Sequence, residues 1–476
     1  MTSLFDKAHY QALLKRLEIS EVDLALLDGD MRVDAEFFRQ RFLRDDFCLD
    51  RFSRHLIGEI AFVTDGQHGY FETDQNSPIH MVVARNVKNW FVDIKNAEPL
   101  AKWVDDNNQR SSLQENDVIV ATRGTVGCCA IVGADVLPAN INQDVARVKI
   151  QDNRFLPEYL IAYLNSSFGQ DWLLRNQTGM VQQGVPLQKL RSMPIPLLAE
   201  KFQTNVKAVL KNARNKLAES ASAMKLAESI LLAELGLLNW KPPTRTVTQK
   251  NLCEFYTSGR LDAEYYQPKY DELQAIIEKN AKTICLISEI QEFNARGLQP
   301  IYDQDGPLDV INSKHILDDG LDYDNFEKTS INNWEEQQKA QVFRNDILIY
   351  TTGANIGRTA IYLSDKQALA SNHVNILRVK AKDKIYVAFV LNSLIGRLQT
   401  EKLSAGSAQQ ELYPKDVAQF YVPFISEEKQ AEISKKILES FALRAQSQEL
   451  LELAKRAVEV AIESGEDSAL AMLKSF

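Results

Sequence analysis

Leu210, Leu217, Met224 and Leu231 recur every seven residues, and Ala213, Ser220 and Ala227 each follow three places behind one of the first three. This repeat predicts a helix whose a/d seam is narrow enough for a second helix to come close. The same register returns 227 residues later at Ile437, Arg444, Leu451 and Val458, with Ser440, Ser447 and Ala454 at the small positions. Matched register predicts that the two helices pack on each other, against the commoner alternative in which each lies on its own domain. The stretches between have other periods. β-Branched runs in "DVIVATRG" and "DILIYTTG" predict strands entering tight Gly turns, and "PEYLIAYLNSSFGQDWLL" predicts one helix opened by Pro157. Pro242-Pro243 ends the first long helix, and the polar run after it has the character of a linker.

The helices are not the only feature written twice. "RVDAEFF" from Arg32 returns as "RLDAEYY" from Arg260, "NDVIVATRGTVGCCAIV" from Asn116 as "NDILIYTTGANIGRTAIY" from Asn345, and "NQDVARV" from Asn142 as "NHVNILRV" from Asn372. "YLIAYLNSSFGQ" from Tyr159 matches "YVAFVLNSLIGR" from Tyr386, and Gly179, Gln182-Gln183 and Pro196 match Gly406, Gln409-Gln410 and Pro423. So many matches in one order indicate an internal duplication. The expected organisation is a helical segment at 1–50, a globular body at 51–198, a long helix at 199–240, a linker and helical segment at 241–281, a second body at 282–425 and a second long helix at 426–476. The bodies mix strands and helices, so the expected class is α+β, twice.

Composition narrows the function more by exclusion than by indication. At 476 residues the chain is too long for one ordinary core, and 45% hydrophobic with 25% charged residues is that of a globular protein. No 18-residue apolar run and no signal-type segment occurs, so a cytoplasmic protein with no membrane partner is expected. The five cysteines form no CxxC pair, which suggests reduced thiols and neither zinc nor a disulfide framework. A net charge of −9 lowers the expectation of a polyanionic partner, but a local basic surface can be hidden in that sum.

Catalytic signatures are missing. No GxxxxGK, GxGxxG, HExxH or GxSxG occurs, the six His are scattered, and Pro242-Pro243 lacks the neighbours of an amino-methyltransferase motif. "SEEK" at Ser426 reads as a helix N-cap with an acidic first turn. No enzyme and no cofactor is expected. The loops "TRGTVG" and "TTGANIG" draw more interest, because their glycines would let backbone approach a phosphate while Arg123 or Arg358 supplies charge; a plain tight turn is the simpler alternative. Gln182, Gln183, Gln409 and Gln410 could read adenine edges, or be surface amides. Arg85, Asn86, Ser313, Lys314 and His315, in polar turns that precede the Gly loops, complete the candidates from local chemistry.

A body, a long helix, a related body and a second helix, with T-R-G-x-x-G loops and an L-N-S…G…Q-Q…P-x-P ending, resembles the DNA specificity (S) subunit of type I restriction-modification enzymes from about Arg32 to the end. The resemblance implies two target-recognition domains in pseudo-twofold relation, separated by an antiparallel pair of helices. Each domain would read one half of a split double-stranded DNA target. The subunit would be noncatalytic and would dock methyltransferase subunits, two by analogy, with translocating nuclease subunits as further partners. Correspondence of the Gly loops makes Arg123, Thr125, Thr352, Asn355 and Arg358 candidate DNA contacts. Thr352 stands where the first loop has Arg123, which implies an asymmetric target. The specificity subunit of a fused methylase-nuclease system shares this architecture, and a protein-binding scaffold is the alternative of a different class.

Overall fold

The computed structural model describes residues 17–23, 32–179, 183–244, 247–404 and 410–474. They form two compact units, one of residues 1–216 with 446–476 and the other of 217–445.

In the first unit, helix α1 (Gln40–Leu49) precedes strands β1 (Arg54–Leu56), β2 (Ala61–Asp65), β3 (His80–Val82), β4 (Trp90–Phe91), β5 (Glu98–Pro99), β6 (Val118–Ala121), β7 (Cys129–Ile131), β8 (Ala139–Ile141) and β9 (Val145–Ile150). Helices α2 (Pro157–Asn165) and α3 (Ser167–Arg175), strand β10 (Pro194–Pro196) and the long helix α4 (Glu200–Glu234) follow. A five-stranded sheet has the order β2-β9-β6-β7-β4, a three-stranded one β5-β3-β8, and β1 pairs with β10.

The second unit repeats this plan. It contains helix α5 (Pro268–Asn280), then β11 (Thr283–Leu286), β12 (Gln291–Arg296), β13 (Leu308–Ile311), β14 (Ile316–Leu317), β15 (Gly320–Leu321), β16 (Glu327–Thr329), β17 (Gln341–Val342), β18 (Ile347–Tyr350), β19 (Thr359–Ile361), β20 (Ala368–Ala370) and β21 (Val374–Val379). Helices α6 (Lys384–Asn392) and α7 (Leu394–Leu403), strand β22 (Tyr421–Phe424) and the first part, to residue 445, of the long helix α8 (Glu427–Ser464) complete it, together with residues 217–234 of α4. Its main sheet, β12-β21-β18-β19, repeats the first four strands of its counterpart, and parallel β13-β20 repeats parallel β3-β8.

The duplicated residues turn out to be those that close this framework. Asn116 and Asn345 take the left-handed conformation at φ 69° and 71°, which lets Asp117 and Asp346 turn their carboxylates inward. Asp117 then binds Arg147 at 2.7 Å, and Asp346 binds Arg378 at 2.8 Å, so the Asn-Asp and Arg-Val echoes are two ends of one ion pair tying β6 to β9 and β18 to β21. Tyr159 donates to the Pro196 carbonyl at 2.8 Å, and Tyr386 to that of Pro423 at 2.6 Å. Within "RVDAEFF", Arg32 grips Asp34 with a two-point fork and lies 4.4 Å over the Phe37 ring. Arg260 holds Asp262 in the same way and lies 5.0 Å over Tyr265. The motif is thus a local clamp, in which the ring rather than the identity of the aromatic is required.

One expected element is broken. The stretch from Pro157 forms two helices, because Ser166 leaves helical geometry at ψ 166° and caps α3 with its hydroxyl, as Ser393 caps α7. A Cβ on Gly169 would come within 2.3 Å of the Tyr163 carbonyl, so the L-N-S…G spacing is the signature of a tight helix-helix corner.

The two long helices are packed antiparallel in both units. In the first, Ser447 donates to the Ala213 carbonyl at 2.8 Å; in the second, Ser220 donates to that of Ser440 at 2.9 Å, and Ser440 to that of Ser220 at 2.9 Å. In both pairs the residue numbers sum to 660 (213 + 447 and 220 + 440). Ser220, Ser440 and Ser447 are buried, and the small seam allows hydroxyl-to-backbone bonds across the pair, each contributing on the order of 1 kcal/mol. Ser426 caps α8, accepting from the Lys429 amide at 3.3 Å.

The duplication departs from itself at Asp45. This residue of α1 is buried where the matching position of α5, 228 residues on, is buried Leu273. Burial pushes the carboxyl up to about 6, and the nearby Asp171 adds to this while Arg44 opposes it. A carboxyl raised in the folded state favours folding while protonated, so stability should fall as pH rises from about 4 to about 6. Asp45→Leu is expected to abolish that slope and to raise first-unit stability at pH 7.5 by on the order of 2–3 kcal/mol. Thermal denaturation at pH 4.5 and 7.5 checks this; an unchanged slope in the variant would refute it.

Candidate nucleic-acid interface

Each unit brings its Gly loop against three other segments. In the first, the chain leaves β6 at Ala121 and turns back into β7 through Gly124 and Gly127, at φ 75° and 92°. The Thr122 amide donates to the Asp144 carbonyl at 2.9 Å, and the Val185 amide to the Thr122 carbonyl at 2.9 Å. Arg123 bridges Gly184 backbone to backbone. A Cβ at Gly184 would lie 2.9 Å from the Thr122 carbonyl oxygen and 3.2 Å from Arg123 Cγ, so a glycine there lets the two backbones close on each other. On the other side, Thr125 donates its hydroxyl to the Ala84 carbonyl at 2.8 Å, which brings the turn carrying Arg85 alongside.

The second unit repeats the first two of these contacts. The Thr351 amide donates to the His373 carbonyl at 3.1 Å, the Leu412 amide to the Thr351 carbonyl at 2.9 Å and the Gly353 amide to the Gln410 carbonyl at 3.3 Å. Thr352 bridges Glu411, as Arg123 bridges Gly184. The Gly loops and the segments containing Gln183 and Gln410 are therefore neighbours in space, although 60 and 58 residues separate Arg123 from Gln183 and Thr352 from Gln410.

The candidate side chains divide by surroundings. Arg123, Thr125, Gln183, Gln410 and Lys314 are exposed. Arg123 is half exposed and only 3.8 Å from Asp144, a loose pairing that leaves its donors accessible. Arg85 is paired with Glu98 at 2.9 Å, Lys314 with Glu327, and Arg358 with Asp318 through a fork at 2.8 and 3.1 Å. Asn355 and Ser313 are half-buried, and Thr352 is buried. Gln182 and Gln409 lie outside the described residues.

Two candidates have inward roles. The Asn86 carbonyl oxygen accepts from the Val83 amide at 3.1 Å and its amide donates to the Asp93 carbonyl at 2.9 Å, so the whole side chain is spent holding its own turn. Buried His315 accepts from the Asn312 amide on Nδ1 at 2.9 Å, and burial holds its pKa down, which favours the neutral ring. These turn-closing partners are invisible in a polar string such as "SKH", where an inward and an outward residue look alike.

Other residues at the junction escaped notice. Asp144 and His373 supply the carbonyls that hold the loops, and Glu411 and Arg296 lie beside Thr352, with Arg296 Nη2 3.6 Å from the Glu411 carboxylate. The only signal for Asp144 and His373 was their place before the Arg-Val echo. Among the described residues no group of three or more His, Cys, Asp or Glu is placed to hold a metal ion, and no helix is long and apolar enough to cross a membrane.

The chain is 25% identical over 132 residues to the type I restriction enzyme EcoBI specificity subunit of Escherichia coli, a match that takes in 27% of this chain and 28% of that protein. Among solved structures, the S subunit of a type I restriction-modification system from M. genitalium aligns over 89% of this chain and 96% of its own, at 13% identity and a TM-score of 0.38. The HsdS subunit from Thermoanaerobacter tengcongensis aligns over 87% and 97%, at 16% identity and a TM-score of 0.27. Residues 286–453 match the type I restriction modification DNA specificity domain. Residues 286–453 are thus similar to the type I restriction modification DNA specificity domain, and the chain carrying them is similar to specificity subunits of type I restriction enzymes.

Proposed function

We propose that the chain is a noncatalytic reader of double-stranded DNA, in which each body recognises one half of a bipartite, asymmetric target. The observation that carries this reading is the repeated junction, where a Gly loop meets a glutamine-bearing segment once in each unit, with a polar turn alongside in the first. Such a junction offers backbone amides and exposed Arg, Lys and Gln donors to phosphates and base edges. The specificity-domain match at 286–453 supports the same reading for the second body. Because Arg123 is replaced by Thr352 at the matching bridge, the halves present different groups and read different sequences.

The paired helices serve as a spacer in this reading and as the docking place for methyltransferase subunits, two by the symmetry of the duplication, with nuclease subunits as further partners. Those partners would supply the adenine methylation and much of the positive surface that a chain of net charge −9 lacks. Exchanging residues 51–198 for the corresponding body of a relative should change one half of the methylated motif and leave the other intact, as read by single-molecule sequencing of the host genome. A change in both halves, or in neither, would contradict independent reading.

A further inference from the structure

We propose that Arg296 is a base-reading guanidinium of the second unit, standing in for Arg123, whose place is taken there by Thr352, while the loop's own Arg358 is held in a fork by Asp318. The inference rests on the DNA-reading function above and assigns a residue to it. Asp65 ends β2 opposite Ala146, and Arg296 ends β12 opposite Asn375; since 375 − 146 = 229, as for Arg123 and Thr352, the two strand ends occupy matching places. The glycines that follow, Gly66 and Gly297, both press on a backbone carbonyl, of Ile141 and Ala370 respectively.

Across this matched frame the charges are exchanged. In the first unit the loop carries Arg123, its bridging partner is Gly184 and the strand end is Asp65. In the second the loop carries Thr352, its bridging partner is Glu411 and the strand end is Arg296. At the bridge, a Cβ on Gly184 would lie 2.9 Å from the Thr122 carbonyl oxygen and 3.2 Å from Arg123 Cγ, whereas the second unit carries Glu411 at the matching place. Glu411 then directs its carboxylate to Arg296 at 3.6 Å, as Asp144 approaches Arg123 at 3.8 Å. Each unit so sets a guanidinium and a carboxylate near each other at this junction, Arg123 with Asp144 and Arg296 with Glu411.

Arg296 is also held for recognition. Its guanidinium lies 4.6 Å over the Tyr413 ring, and Nη2 donates to the Leu412 carbonyl at 3.0 Å. A planar fork fixed by stacking loses little entropy on engaging a second partner. The edge it matches is that of guanine, whose O6 and N7 accept two parallel hydrogen bonds in the major groove. Glu411 would discourage binding that does not replace its ion pair, which favours a specific contact over a general phosphate one.

The test is the methylated motif made by the complete complex carrying Arg296→Gln, Arg296→Lys or Arg123→Gln. Arg296→Gln and Arg296→Lys should each lower the preference for guanine at one position of one half-site by about tenfold or more, with the other half unchanged. Arg123→Gln should relax the opposite half. Lysine keeps the charge and can replace a structural hydrogen bond but not a bidentate one, so a full preference retained in Arg296→Lys overturns the proposal. Relaxation of the same half by the Arg296 and Arg123 variants overturns it too, as does loss of methylation at all sites in both Arg296 variants, which would make the residue structural. If no split motif depends on the chain at all, the DNA-reading function itself falls, an outcome distinct from these.

Discussion

Asp117→Ala is expected to cost the first unit about 3–5 kcal/mol, enough to populate its unfolded state. The carboxylate and its partner Arg147 are 3% and 5% exposed, so removing one leaves a charge that water cannot reach. Arg147 also donates to the Arg110 carbonyl at 3.0 Å, and the Gln114 amide donates to Asp117 at 2.7 Å, so a turn and two strands lose their common anchor. Burial pushes the Asp117 carboxyl up even though Arg147 draws it down, which shows how much desolvation the pair already bears. Two contrasts make the prediction specific. Asp346→Ala should cost less, on the order of 2 kcal/mol, because Arg378 is 26% exposed and can regain water. Replacing both partners, as Asp117→Leu with Arg147→Met, should recover most of the loss. Denaturant unfolding followed by hydrogen exchange in each unit measures all three; equal losses in the two units would contradict the account.

The architecture was legible in the chain because duplication turns weak local signals into strong joint ones. A single heptad run would not establish a helix pair, but two runs with the same small positions did, and the buried serine contacts show why those positions are small. The Asn-Asp and Arg-Val echoes were visible without their meaning, since an ion pair between strands is a contact across 30 residues in one unit and 32 in the other. The candidate interface was legible only in outline. Gly loops and glutamine segments could be named from local chemistry, and they do meet. Whether Asn86 or His315 faces inward depends on which backbone groups of a turn need partners, and that is set by three-dimensional closure. Arg296 escaped for a related reason. It lies on a strand end whose counterpart is an aspartate, so comparing the halves position by position gives no hint of a guanidinium on that strand.

The second large effect concerns the paired helices. The Ala213–Ser447 contact of one unit and the Ser220–Ser440 contact of the other lie, along the sequence, on either side of residues 216–217 of α4 and 443–444 of α8. A heptad inserted between Lys216 and Leu217 alone must therefore break either the Ala213–Ser447 contact of one unit or the Ser220–Ser440 contact of the other, since seven helical residues rise about 10 Å. Methylation should be abolished or nearly so. A matching heptad inserted between Leu443 and Arg444 restores every pairing on both sides, and each body keeps all its contacts with its own helix segments. Copies of residues 210–216 and 437–443 supply the inserts, because they place Ala213 and Ser440 equivalents opposite each other.

The central claim is that two related readers are kept at a set spacing by this pair. Its most direct measurement is the adenine-methylation map of cells carrying the doubly inserted chain, beside cells carrying the unaltered one. The account predicts that both half-site sequences stay as they were while the unspecified gap between them lengthens to a new constant value, by on the order of three base pairs for about 10 Å. An unchanged gap in an active double insert, or altered half-sites, would contradict it.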